Sequence, residues 1–144
     1  MIDSTDKKFL ATAMALAEIW GKDPSTRVAA VAVGHTKNRV AFGYNGFPPG
    51  VADTEARLHD RDVKLALTLH AEVNALANAT FAVRTLYVTH HPCAHCALHI
   101  LAARSMRRVV YLEQPGFDKR WGASMAEARM VLAEGGVEVE GCTL

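Results

Sequence analysis

At 144 residues, half of them hydrophobic, the chain can bury a core without disulfide staples, and a single domain spanning residues 1–144 is expected. Sixteen Lys plus Arg against fifteen Asp plus Glu leave a net charge of +1, which speaks against gripping a long nucleic acid and for a small substrate. No apolar run approaches the ~20 residues of a membrane span, and three cysteines, an odd number, make no disulfide framework, so a soluble protein of a reducing, cytoplasmic compartment is expected.

From Thr5 to Trp20, the residues Phe9, Leu10, Ala13, Met14, Leu16, Ala17 and Trp20 recur at helical spacing behind Ser4 and Thr5 as caps. This pattern predicts an amphipathic helix ending near Gly21. "RVAAVAVGHTKNRVAFGYNG" holds two Val/Ala-rich runs separated by "GHTKN", which predicts a β-hairpin. From Gly43 to Arg61, three glycines and two prolines among polar residues predict a long surface loop of the kind that carries function. Helix formers fill 65–79, and "RTLYVTH" (84–90) reads as a strand. A helix is expected from about Cys93 to Ser105, a strand over 107–113, a helix over 124–136 closed by Gly135 and Gly136, and a last short strand over 137–141. Strands alternating with helices imply a parallel portion of sheet, to which the hairpin adds an antiparallel portion. The expected fold is therefore a three-layer α/β/α domain with a mixed sheet of about five strands.

The chemistry concentrates in "HPCAHC" (91–96). Cys93 and Cys96, three apart at a helix start, send two sulfurs towards one point, where the helix dipole favours thiolates. Upstream, "LHAEVNA" supplies His70 as a third ligand, with Glu72 two positions later. Three protein ligands leave one tetrahedral position for water, the arrangement of a catalytic zinc, and the carboxylate of Glu72 is placed to shuttle a proton to and from that water. A C-x-x-C pair alone would also suit a redox dithiol. The combination of His70-Ala71-Glu72 with Pro92-Cys93-Ala94-His95-Cys96 is identified as the signature of zinc-dependent nucleobase deaminases, shared by the whole superfamily. His90, His91, His95 and His99 read as surface or pocket-rim residues, with His95 and His99 four apart on one helix face, and Cys142 reads as an incidental thiol.

Four stretches in order, "GKDPSTRVAAVAV" (21–33), "GYNGFPPGVAD" (43–53), "LHAEVNAL" (69–76) and "TLYVTHHPCAHCA" (85–97), resemble the deoxycytidylate (dCMP) deaminases over most of the chain. The resemblance implies a cytidine-deaminase-like fold and a hydrolase that removes the 4-amino group of dCMP, yielding dUMP for thymidylate synthesis and ammonia. It assigns His70, Cys93 and Cys96 to one catalytic Zn²⁺ per chain, and Glu72 to moving a proton from water to N3 of the ring and later to the departing amine. It further assigns Asn45 to the sugar hydroxyl, although an asparagine between glycines also suits a plain turn, and the backbone N–H of Ala71 to the base carbonyl. Pro92 belongs to the same pocket wall. For the 5′-phosphate the sequence offers Lys22, Ser25, Thr26 and Arg27 in "KDPSTR", then Lys119 and Arg120, and a solvated turn is the competing reading of the first cluster. The family's hexameric assembly, activation by dCTP and inhibition by dTTP, with the "GYNG" loop including Gly46 at the effector site, are further implications. The chain departs from the usual pattern where Pro49 replaces an arginine and where Ala94-His95 replaces Asn-Glu. The flanking His91 and His95 would suit a base modified at C5, such as 5-methyl-dCMP.

The rival readings are a deaminase of free cytidine, a deaminase of tRNA adenosine, of which alone a more basic surface is expected, and a non-catalytic zinc domain of the same fold, which would have no need of Glu72.

Overall fold

The computed structural model describes residues 1–144. Its elements, in chain order, are α1 (Ser4–Trp20), β1 (Ala29–Val33), β2 (Val40–Tyr44), α2 (Glu55–His59), α3 (Arg61–Leu67), α4 (Ala71–Asn78), β3 (Thr85–Val88), α5 (Ala94–Ala102), β4 (Arg108–Leu112), α6 (Pro115–Glu134) and β5 (Glu138–Cys142). The five strands form one sheet in the order β2-β1-β3-β4-β5; β1 runs antiparallel to both β2 and β3, while β3, β4 and β5 are parallel. This is the mixed sheet expected from the sequence.

The period-2 alternation of the strands decides the layers. Ala30, Ala32, Leu86, Val88, Val109 and Tyr111 face a core completed by Ala71 and Ala75 of α4, Ala97 and Ile100 of α5, and Ala128 and Leu132 of α6. The intervening Val31, Val33, Tyr87, Val110 and Leu112 face the opposite way, onto Leu10 and Ala13 of α1. Every residue of β1 is buried, which is why its run of Ala and Val lacks polar alternation. The hairpin register places Gly43 opposite Ala30, and at Gly43 a Cβ would stand 2.4 Å from the backbone nitrogen of Ala75. The missing side chain thus lets α4 press directly onto β2.

Four boundaries differ from the sequence reading. The cap of α1 is Asp3, not Ser4 or Thr5: its carboxylate accepts from the Asp6 N–H at 2.9 Å while the Asp6 carboxylate accepts from the Asp3 N–H at 2.9 Å, a reciprocal capping box. The expected loop 43–61 contains α2, capped by Thr54. The expected helix over 65–79 is two helices, α3 and α4, because 68–70 leave helical geometry so that Leu69 can exchange two backbone hydrogen bonds with Gly46. The last helix starts at Pro115, well before residue 124, and carries a kink at Trp121 where φ is −110°. Proline at the first position of α6 suits a helix start, since its missing N–H has no partner there anyway.

Candidate active site

Two helix starts meet at one end of the sheet. His70 is the N-cap of α4 and Cys93 the N-cap of α5, and both leave the helix with extended backbone (ψ of 153° and 168°), so both side chains project from their helix ends. His70 offers no side-chain cap to α4. Its Nδ1 instead lies 3.2 Å from the sulfur of Cys96 and 3.5 Å from that of Cys93. The three donor atoms all lie within 4.8 Å of one another. One imidazole nitrogen and two sulfurs at this separation are a borderline-soft set that fits a tetrahedral zinc ion, with one position left open.

The electrostatics suit a cation. The Cys93 thiol is pulled down to about 3, first by its hydrogen bond with Cys96 and then by His70. Cys96, buried against Cys93, is pushed up. The N–H of Cys96 donates to the Cys93 sulfur at 3.4 Å, and the positive ends of α4 and α5 both face the cluster. Glu72, in the first turn of α4 and only 4% exposed, has its carboxyl raised by burial, so it holds a proton more readily than a solvated carboxylate does.

Above the cluster opens a cavity of about 240 Å³. Of the residues singled out in the sequence, His70, Ala71, Glu72, Cys93, Asn45, Ser25, Thr26 and Arg120 line it. Cys96 joins from beneath, fully buried. The Asn45 side chain accepts from the Val28 N–H at 2.8 Å and donates to the Thr26 carbonyl at 2.9 Å, tying the end of β2 to the turn before β1. One amide N–H and one carbonyl lone pair of Asn45 remain for a ligand.

The other candidates lie elsewhere. Lys22 is paired with Asp53 at 2.9 Å and does not line the cavity, because its long stem follows the exposed turn outward. The Arg27 guanidinium reaches back to the carbonyls of Glu18 and Asp23, both at 3.5 Å, and Lys119 is exposed outside the cavity. Gly46 is held in its bridge to Leu69. Pro92 is buried, and its carbonyl accepts from His91 at 2.8 Å. Of the four flanking histidines, His90 and His91 line the cavity. His95 and His99 face solvent, with their Nε2 atoms 3.3 Å apart.

Several cavity residues escaped the sequence reading. Lys64 sits in α3 between Val63 and Leu65, where nothing in the pattern marks it as buried, yet its ammonium donates to Asp23 at 3.0 Å and to the Ser25 hydroxyl at 3.1 Å. Asp23 also accepts from the N–H groups of Ser25 and Thr26, at 2.8 and 3.1 Å. Phe117 and Trp121 form an aromatic wall with His90, whose ring meets Phe117 edge-on at 4.6 Å. Their i, i+4 spacing after Pro115 was a legible helix signal.

Residues 3–113 match the family described as the cytidine and deoxycytidylate deaminase zinc-binding region. A protein of Aliivibrio fischeri called an uncharacterized deaminase is 38% identical over 96% of this chain and 94% of its own length. A probable deoxycytidylate deaminase of Caenorhabditis elegans is 40% identical over 64% of the chain, which spans 49% of that protein. Among solved structures, the dCMP deaminase of cyanophage S-TIM5 in complex with dCMP and dUMP superposes with a TM-score of 0.75 at 25% identity, covering 99% of both chains. The cytidine deaminase of Mycobacterium tuberculosis superposes with a TM-score of 0.53 at 17% identity over 79% of this chain and 88% of that one, a likeness of fold alone.

Proposed function

The chain belongs to the cytidine and deoxycytidylate deaminase family, and we propose that it hydrolyses dCMP to dUMP and ammonia at the cavity above His70, Cys93 and Cys96. The observation that carries this reading is the convergence of those three donor atoms within 4.8 Å beside the buried carboxyl of Glu72. When bound by the three side chains, zinc would supply a water of lowered pKa at neutral pH.

The chain's own groups account for the rest. Glu72, raised by burial, takes a proton from the attacking water and delivers it to N3 of the ring. It then takes the second proton from the hydroxyl now attached at C4 and delivers that one to the leaving amine. The N–H of Ala71, at the open start of α4, is aligned by the helix to hold the base carbonyl. Asn45 offers its free N–H and lone pair to the sugar hydroxyl. Phe117 and Trp121 close the cavity on the apolar side and keep bulk water from the ring. Supply of dUMP for thymidylate synthesis, a hexameric assembly and control by dCTP and dTTP belong to the same reading, supported by family membership. A cytoplasmic setting is supported by three free cysteines; no helix is long and apolar enough to cross a membrane.

Ammonia release from dCMP, measured beside zinc content, tests the proposal. Glu72→Ala is expected to keep about one zinc per chain and lose roughly 100-fold to 10,000-fold in kcat. His70→Ala and Cys96→Ala are expected to lose the metal as well. Wild-type activity in Glu72→Ala, or no turnover of dCMP with or without dCTP, would sink it.

A further inference from the structure

At the far end of the sheet from the zinc ligands, where β2 and β3 begin, lies a second cavity of about 300 Å³, lined by His35, Thr36, Arg39, Phe81, Ala82 and Arg84. One row of residues across three strands shapes it. The Gly34 N–H donates to the Arg39 carbonyl at 2.9 Å, and the Arg84 N–H donates to the Val33 carbonyl at 2.8 Å, so an arginine flanks the end of β1 on either side. Two strand steps set the two arginine backbones about 10 Å apart, a gap that two long side chains can close around one group. Between them, Gly34 lets the Phe81 ring lie directly against β1, since a Cβ there would stand 2.9 Å from that ring. The Arg84 backbone is held in place as well: its carbonyl accepts from the N–H groups of Arg107 and Arg108, at 2.8 and 3.2 Å.

No acid lines this cavity. The arginine side chains that donate hydrogen bonds within the protein are those of Arg27, Arg57, Arg108 and Arg129, and Arg108 is the one that forms ion pairs. Arg39 and Arg84 do neither, although Arg84 is half-buried. Like charges gathered at one cavity repel, and a half-buried guanidinium without an acceptor has lost hydration for nothing, so the arrangement favours an anion between the two. A phosphate monoester carries roughly −1.5 to −2 at pH 7, which balances two guanidinium charges, and its oxygens match their planar forks. We propose that Arg39 and Arg84 hold a phosphate group here, either inorganic phosphate or the monoester of an aromatic compound whose ring lies against Phe81. The ligand would tie the turn at 34–39 to the chain between α4 and β3. This site is independent of the deamination reading.

Amide-resolved NMR of the zinc-loaded protein, titrated with inorganic phosphate and with phenyl phosphate at constant ionic strength, tests the proposal. Amides of residues 34–39 and 81–84 should shift with half-saturation near or below about 1 mM, while chloride leaves them in place. Half-saturation should rise about tenfold in Arg39→Gln and in Arg84→Gln, and about threefold in Arg39→Lys, which keeps the charge but not the fork. Arg39 is exposed, so its variants keep the test decisive even where Arg84→Gln fails to fold. Phenyl phosphate at least about threefold tighter than inorganic phosphate identifies an aromatic ester as the ligand, and equal affinities identify free phosphate. No shift of these segments up to about 50 mM phosphate, equal shifts with chloride, or folded variants that titrate like the wild type would each overturn the site.

Discussion

Single side chains here are set by what surrounds them more than by their type. Asp6 shows this outside the active site. It is 2% exposed and accepts from the Arg108 guanidinium at 2.8 and 3.0 Å and from the Tyr87 hydroxyl at 2.8 Å. Burial alone would raise its carboxyl, but Arg108, the Asp3 N–H and Tyr87 together hold it below its usual 3.8. A carboxyl lowered by folding contributes stability that is complete above its unfolded value and is lost as pH falls through its folded one. Asp6→Asn is therefore expected to cost about 2 to 3 kcal/mol at pH 7 and to flatten the acid limb of the stability profile below about pH 4. Urea unfolding from pH 7 to pH 2 checks both, and parallel acid limbs in the two proteins would refute the assignment. The same contrast runs through the histidines: four cluster around the cysteines in sequence, but the one that reaches both sulfurs is His70, more than twenty residues upstream.

At the scale of elements, the site depends on where helices start. A single helix through 65–79 would place residue 70 in mid-helix; the break at 68–70, locked by the Gly46 and Leu69 backbone pair, turns His70 into a cap whose side chain is free to face Cys93 and Cys96. The position of α4 in turn depends on Gly43, where any side chain meets the backbone of Asn74 and Ala75 at 2.4 to 2.7 Å. Gly43→Ala is expected to cost about 1 to 3 kcal/mol and to weaken zinc retention, because backbone must move to admit the methyl group. Thermal melts with zinc analysis after dialysis measure the two effects. Unchanged zinc retention would mean that α4 shifts without carrying His70. The early start of α6 is the other decision at this scale, since its segment before the Trp121 kink supplies Phe117 and Arg120 to the cavity.

For the whole molecule, the sheet order brings these starts together. The chain leaves β3 at Val88 and reaches Cys93 at the C-terminal edge of the parallel strands, the usual ligand side of such a sheet. Antiparallel β1 enters at that same end, with Val28 and the 23–26 turn just before it. Zinc held between α4 and α5 would link two elements that pack on the same face of the sheet, and it binds the folded chain in preference to the unfolded one. Removing zinc with a chelator is accordingly expected to lower the melting temperature by roughly 10 °C, reversibly on adding zinc, for a stabilisation of about 3 kcal/mol. Calorimetric scans of the two forms decide this, and coincident transitions would show that the metal contributes nothing to holding α4 against α5.

The amino-acid sequence by itself determined which three side chains converge as candidate metal ligands and the mixed five-stranded sheet, because each is written in local terms: spacing at helix starts, and alternation or helical period in the runs between. Only the tertiary structure decided the outer cavity. Whether Lys22 or Lys64 lines the cavity depends on which stem is trapped between packed elements, and the two lysines look alike as residue types. Lys64 is drawn inward by Asp23, 41 positions away, and Lys22 outward by Asp53, pairings that exist only once α3 has docked against the turn before β1.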